Sequence, residues 1–470
     1  MRALAGGLAL LLVAGCTTQT PPRAQGADPA ASVCAPPEGP PAAEKPTTVD
    51  VVEQAYFCIL ARYYSGATLD ARTLLGAAFV AVTQQLNRDG RDLPEATMPA
   101  LTGDRKADWA AFEAVFRRIT AQTPAGAPGL AATALRAMVD ALGDNHARWQ
   151  KGVGKRPPGY YDGDLYGLGM KASAGQQVAV NPGTALPPLF VTAVLGGPAR
   201  EAGIRPGDVI ESVNGSAPFI GDAVTPGAVA ALYPQYPEAA PVRLRVLRER
   251  TGQRRTVTLK PGLFQPDPEA MQAVTGKVLA GDVAYVRLSG FSPDAADRVF
   301  RTVDRLRENR TLTGMVLDLR GNGGGSPDEA NRLLGGFGHG KVTAYQCSVS
   351  GTCDTMRTDD TAPLVGLPLV VLTDRGCASA CEHFSSAVKD LGLGKLVGTR
   401  TAGAVSGPAE PYLLGDNTLI SFPSRHHLAP NREVIDKVGV APDHHVPATA
   451  RDAAAGRDSA LAKALTVLRP

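Results

Sequence analysis

The chain has 470 residues, with 48 Lys and Arg against 45 Asp and Glu, and a formal net charge of +3. That length exceeds one ordinary core, so two or three domains are expected. The near balance of charge and the lack of a basic block point away from nucleic acid, and from an anionic lipid surface held by charge alone.

At the start, Arg2 precedes an apolar run from Ala3 to Ala14, too short to span a bilayer and typical of a signal-peptide core. It ends in "LVAGC", with Cys16 after small residues. This resembles a bacterial lipoprotein signal over residues 1–16. The resemblance implies export, lipidation of Cys16 and a lipid anchor on the periplasmic face of a bacterial membrane, with the outer membrane expected. An ordinary secretory signal with an incidental cysteine is the alternative. Residues 17–47, rich in Ala, Pro and Thr, cannot bury a core and read as a tether.

Six further cysteines remain, an even count that suggests disulfides in an exported chain. Pairing of sequence neighbours is expected: Cys34–Cys58, Cys347–Cys353 and Cys377–Cys381. No CxxC pair occurs, which argues against a zinc ribbon.

From 48 to 160 the pattern is helical. "VDVVEQAYFCILARYY", "ADWAAFEAVFRRITAQ" and "LAATALRAMVDALGD" carry apolar residues at helical spacing, and Thr48 is placed to cap the first. From 164 to 262, short β-branched runs ("QVAV", "LFVTAV", "VRLRVLRE", "RRTVTL") alternate with Gly/Pro turns. Within them, "GGPAREAGIRPGDVIESVNG" closely resembles a PDZ domain. In that fold a glycine-rich loop offers N–H groups to a peptide's C-terminal carboxylate, and the peptide adds as a strand. The resemblance places this loop at Tyr166, Gly167, Leu168 and Gly169. A PDZ fold kept only as a spacer or lid is the plainer reading.

From 265 to 465, strands and helices alternate, which argues an α/β layered core within an α+β multidomain chain. "SPDAADRVFRTVDRLREN" reads as a helix opened by Ser292, and "LTGMVLDLRGNGGG" and "LPLVVLTDRG" as buried strands. Sites in open α/β sheets gather at the carboxyl ends of strands. Two such ends carry candidate residues. One is the run Gly321–Gly325. The other is Ser379, at the start of the helical "SACEHFSSAVKDLG". A serine there is most often a plain helix cap. It also sits beside the unpaired N–H groups of a first helical turn, with Ala380 the natural donor to an oxyanion. The glycine run supplies a second donor, from Gly324 or Gly325. No Gly-Lys-Ser/Thr follows it, so a phosphate loop is not supported.

The segments "GMVLDLRGNGGG", "LPLVVLTDRGCASACE" and "GVAPD" resemble, in that order, the tail-specific or carboxyl-terminal processing serine peptidases. In that family a PDZ domain precedes a crotonase/ClpP-like α/β catalytic core. The resemblance puts the reactive serine at Ser379. One branch of the family activates its serine with a lysine, and Ala404 stands at that place here. Lys389 and Lys395 lie outside the motif. The tricorn-like branch uses a histidine ahead of the PDZ domain, and "ALGDNHARW" puts His146 there. A neutral imidazole is basic enough to accept a serine proton near neutral pH. The same branch implies a carboxylate before the "GV-PD" turn, which falls on Asp436, with Glu433 as rival. His383, one helical turn after Ser379, is a lesser candidate base. The doublets His426–His427 and His444–His445 read as surface or core histidines, with no metal expected.

The reading reached is an exported, lipid-anchored serine endopeptidase with no cofactor. Its substrates are proteins or peptides held by their C-termini. An inactive scaffold that only binds C-terminal peptides is the alternative, and an acyl-transfer enzyme acting on a non-protein substrate is a weaker third.

Overall fold

The computed structural model describes residues 34–39, 42–151, 156–175, 185–236 and 239–469. Cys16, the signal, most of the tether and the "QVAV" run lie outside them. The architecture is mixed α+β with several modules, and among the described residues no helix is long and apolar enough to cross a membrane.

Four helices open the described chain: α1 (Val49–Arg62), α2 (Ala71–Arg88), α3 (Arg105–Gln122) and α4 (Ala127–Asp140). Two begin on side-chain caps, since Asp70 accepts the Arg72 N–H and Asp104 accepts those of Lys106 and Ala107. Thr48 stands at the start of α1 but makes no such bond, so the expected cap there is absent. Helix α1 is instead held by burial of Val52, Ala55, Tyr56 and Ile59, and by a Cys34–Cys58 bridge. The helices do not form a separate core. Their apolar cluster runs on into Tyr412, Leu414, Ile420 and Phe422 from the far end of the chain. Strand β1 (Arg148–Gln150) completes the join, pairing antiparallel with Leu419–Pro423.

The β module that follows includes β2 (Met170–Ala172), paired antiparallel with β3 (Val191–Val194), and a three-stranded sheet of Asp208–Val213, Val242–Arg248 and Gln253–Leu259. Its helix α5 (Pro226–Leu232) starts on Thr225, whose hydroxyl accepts the Ala228 N–H.

The last module is built on a six-stranded sheet. In spatial order it runs β4 (Val274–Leu279), β5 (Val283–Leu288), β6 (Gly314–Asp318), β7 (Leu369–Thr373), β8 (Lys395–Gly398) and β9 (His444–His445). Only the first pair is antiparallel. Strands β6 and β7 are buried at every residue, as parallel strands covered on both faces must be. Helices α6 (Ala295–Arg307), α7 (Pro327–Gly335) and α8 (Ala380–Asp390) cover one face, and α9 (Ser459–Val467) covers the other.

Ser292 does not open α6. The residue before the helix is Asp294, with φ +61° and no side-chain cap. The free amides of Asp294 and Ala296 are taken instead by Glu329 on α7, at 2.9 and 3.0 Å. A cap supplied from another helix leaves no local signature in sequence.

Candidate active site

Strand β7 runs through a tight loop into α8, and Ser379 is the hinge between them. Its φ of +55° and ψ of −121° lie where a non-glycine residue is strained. Such a strand-to-helix elbow projects a serine hydroxyl out of the sheet edge.

Several contacts hold the elbow in place. The Cys377–Cys381 disulfide straddles it, and both cysteines are fully buried. The Ser379 N–H donates to the Ala404 carbonyl at 2.8 Å. Thus the position where a lysine is missing contributes its backbone. Glu382, fully buried one turn on, accepts from Thr401 Oγ1 (2.5 Å), Gly403 N–H (2.6 Å), Ala404 N–H (2.7 Å) and, more weakly, Ser379 N–H (3.3 Å). Burial pushes its carboxyl up to about 7 even though all four donors favour the charged form.

The glycine run approaches the same hydroxyl from β6. Asp374 Oδ1 accepts the Gly321 and Gly376 amides, each at 2.8 Å, and so ties the two strand-end loops together. Gly324 has φ +101°, and a Cβ there would sit 2.7 Å from the Ser379 Cβ, so only glycine fits. Its amide is engaged by Asn322 Oδ1 at 2.9 Å. Of the two glycines expected to offer an N–H, Gly324 is therefore already spent. Among the described residues the amides of Gly325 and Ala380 carry no hydrogen bond.

His146 follows α4 and precedes β1, and that strand's pairing with Leu419–Pro423 carries it to the elbow. Its Nε2 lies 3.3 Å from Ser379 Oγ, across 233 positions of sequence. Nδ1 lies 2.5 Å from Asn145 Oδ1 and 3.2 Å from Ser406 Oγ. A proton on Nδ1, donated to Asn145, leaves the Nε2 lone pair facing the serine. Burial holds the imidazole below its usual pKa. Asp144 pulls it back up, as does Asp436 more weakly, and Arg148 adds to the lowering.

Asp436 does not touch the imidazole, as a direct histidine–carboxylate contact would require. Its Oδ1 accepts from Asn145 Nδ2 at 2.5 Å. The carboxamide stands between carboxylate and histidine, with one end on each. Asp436 is buried, whereas Glu433 is exposed. Asn145 is the residue that sequence reasoning passed over. Its only local signal is adjacency to His146 in "GDNH". Asp144 supports the same loop, accepting from the His146 backbone N–H (2.8 Å), Ser406 Oγ (2.7 Å) and the Tyr63 hydroxyl (3.0 Å).

The other candidates are engaged elsewhere. His383 is buried and its Nε2 meets Asn331 Oδ1 at 3.0 Å. His426 stacks on Tyr64. Lys389 donates to the Ala441 carbonyl, and Lys395 pairs with Asp443. Beside the hydroxyl lies a cavity of about 200 Å³ lined by His146, Gly325, Ser379, Ala380, Val405 and His427.

This arrangement can deliver an activated hydroxyl to an electrophilic carbon and meet developing negative charge on oxygen with two amides. Residues 282–446 match the profile described as "Peptidase family S41", and residues 190–222 that of a "PDZ domain". The chloroplastic carboxyl-terminal-processing peptidase 2 of Arabidopsis thaliana is 30% identical over 318 residues, which is 67% of this chain and 60% of that one. The carboxyl-terminal-processing protease of Synechocystis sp. is 29% identical over 62% of this chain and 66% of its own. The chain thus spans less than two thirds of the length of these relatives. Among solved structures, the photosystem II D1 C-terminal processing protease superposes with a TM-score of 0.51 at 21% identity, over 84% of this chain and 92% of its own. Mature CPAF complexed with lactacystin gives 0.55 at 12% identity, over 89% and 97%. These two share the fold.

Proposed function

From the premise that residues 282–446 belong to peptidase family S41 and residues 190–222 to the PDZ domains, we propose that this chain is an exported serine endopeptidase. Protein or peptide C-termini dock on the PDZ domain, through the loop Tyr166–Gly169, and the chain is cut in the core. The observation that carries the reading is the 3.3 Å approach of His146 Nε2 to Ser379 Oγ. That distance is in keeping with a free enzyme, whose catalytic hydrogen bonds tighten when substrate is bound.

Ser379 Oγ attacks the scissile carbonyl carbon while His146 Nε2 takes its proton. The carbonyl oxygen becomes an oxyanion held by the Ala380 and Gly325 amides. His146 then passes the proton to the leaving amine, the C–N bond breaks and an acyl-serine ester remains. Water repeats the sequence through the same base, and the carboxylic acid product leaves. Asn145 holds the imidazole by its Nδ1 proton, and Asp436 fixes Asn145. The carboxylate thus acts on the base through a neutral relay. Lipidation of Cys16 and anchoring on the periplasmic face of the outer membrane rest on the sequence of residues 1–16 alone.

A serine-reactive fluorophosphonate probe tests this. Labelling is expected in the unaltered protein and lost in Ser379→Ala and His146→Ala. Absence of labelling, with C-terminal peptides still bound, would establish the inactive scaffold instead.

A further inference from the structure

The edge of the PDZ domain on which a peptide would add as a strand is already occupied. On β2 and the bend after it, the Ser173 N–H donates to the Phe190 carbonyl at 2.8 Å, so that side is paired toward β3. Alternation of the backbone turns the groups of Ala172 and Ala174 to the opposite side. There the hydroxyl of Tyr233, the residue that ends α5, accepts the Ala172 N–H at 3.1 Å and donates to the Ala174 carbonyl at 2.8 Å. Burial pushes this phenol up to about 12, so it stays neutral and able to donate.

The loop ahead of β2 is held from within the domain, and its Tyr166 and Gly167 pair with Leu263 and Gly262. The carbonyls of Leu168 and Gly169 accept the Ala199 and Leu195 amides from within the domain, at 2.9 and 2.8 Å. Gly169 has φ +80°, and a Cβ there would meet the Gly196 carbonyl oxygen. The loop is therefore fixed. The strand edge beyond it is covered by one side chain, which itself borders a cleft of about 610 Å³.

We propose that Tyr233 is a resident competitor for the peptide-docking edge: an extended C-terminal segment with a free carboxylate adds to β2 only by displacing the Tyr233 hydroxyl from Ala172 and Ala174. This rests on the docking reading above and says what docking must undo. The displaced ring has room in the cleft, which is lined also by Gly321, Arg375 and Gly376. Those residues belong to the two loops that lead to Gly325 and Ser379. A docked peptide thus moves a side chain that lines the same cleft as these loops.

The test uses the full chain carrying Ser379→Ala, so that the probe is not cut. A fluorescein-labelled pool of six-residue peptides, randomised in the last three positions, is titrated by anisotropy. It is compared with the same pool C-terminally amidated. Tyr233→Phe is expected to bind the free-acid pool about tenfold more tightly, since two hydrogen bonds of ordinary net strength no longer compete. Tyr233→Leu, which also lacks the hydroxyl, should shift in the same direction and guards against a folding defect peculiar to one variant. Equal affinity across all three proteins overturns the competitor while leaving docking intact. Equal binding of free-acid and amidated pools, or none, removes the docking reading and the competitor with it.

Discussion

In the proposed mechanism Ser379 passes its proton to His146, and the 3.3 Å between them shortens when substrate binds. Replacing Ser379 by Ala should lower peptide hydrolysis by about 10⁵- to 10⁶-fold with the fold retained. Circular dichroism alongside an unfolded-protein cleavage assay checks both halves. Asn145 has a subtler part in the proposed mechanism, because its carboxamide contacts His146 and Asp436. Asn145→Ala removes the shorter of the two contacts to His146 Nδ1, leaving Ser406 Oγ, and leaves Asp436 only the longer contact from the Val405 N–H. A loss on the order of 10²-fold is expected, in kcat with KM little changed, as for a misplaced catalytic group. A KM effect alone would assign Asn145 to substrate binding.

In the proposed mechanism the imidazole also sets the acid limit of activity. A base must be neutral to accept a proton, so activity is expected to fall as His146 becomes protonated. Burial lowers the His146 pKa below its ordinary 6.5, against the pull of Asp144 and Asp436. The acid limb of kcat/KM should therefore have its midpoint below 6.5, with activity retained through mildly acidic solution. A midpoint above 7 would mean that the carboxylates outweigh desolvation.

At the level of elements, the elbow between β7 and α8 is held strained by its neighbours. Glu382 binds the loop 401–404 with three strong acceptor contacts. In Glu382→Gln an amide nitrogen must face at least one of these donors. A destabilisation of about 2–3 kcal/mol is expected from unmet buried groups, together with loss of activity. Thermal melts and turnover would both register it. The Glu382 carboxyl is raised from 4.5 to about 7 on folding, so its protonated form is favoured in the native state. Its contribution is present in full below 4.5 and is lost as pH rises through 7.

The disulfide across the elbow closes a loop of sequence separation 4, so the chain-entropy argument allots it only ~2 kcal/mol. Its larger effect is expected on geometry. Cys377→Ala with Cys381→Ala should lower kcat more than it lowers the melting temperature of the core.

Across the molecule, His146 is brought toward Ser379 by an apolar cluster that joins the N-terminal helices to Tyr412, Leu414, Ile420 and Phe422. Trp149, three residues past His146, is buried and donates its indole N–H to Thr418 at 2.8 Å. Trp149→Ala should cost roughly 3–5 kcal/mol, as large aromatic truncations do, and reduce turnover without any contact with substrate. The helices and the catalytic core should lose structure together in one melting transition. Hydrogen exchange followed through the melt would reveal any separation.

Much of this was legible along the chain. Burial on both faces makes β6 and β7 continuous apolar runs, and turn residues and caps punctuate the elements locally. The serine and the histidine stood out through the resemblance to a family's motifs, and the glycine run through its own composition. What sequence alone determined was the succession of helical, β-rich and alternating segments, while the cysteine pairing and the elbow serine stood as expectations from neighbourhood and from family resemblance. Only the tertiary structure decided that Asn145 stands between Asp436 and His146, and that Glu329 caps α6 from another helix. Hydrogen bonds across 35 or 291 positions of sequence leave no periodicity to read, since they depend on where two surfaces come to rest and not on the spacing within either.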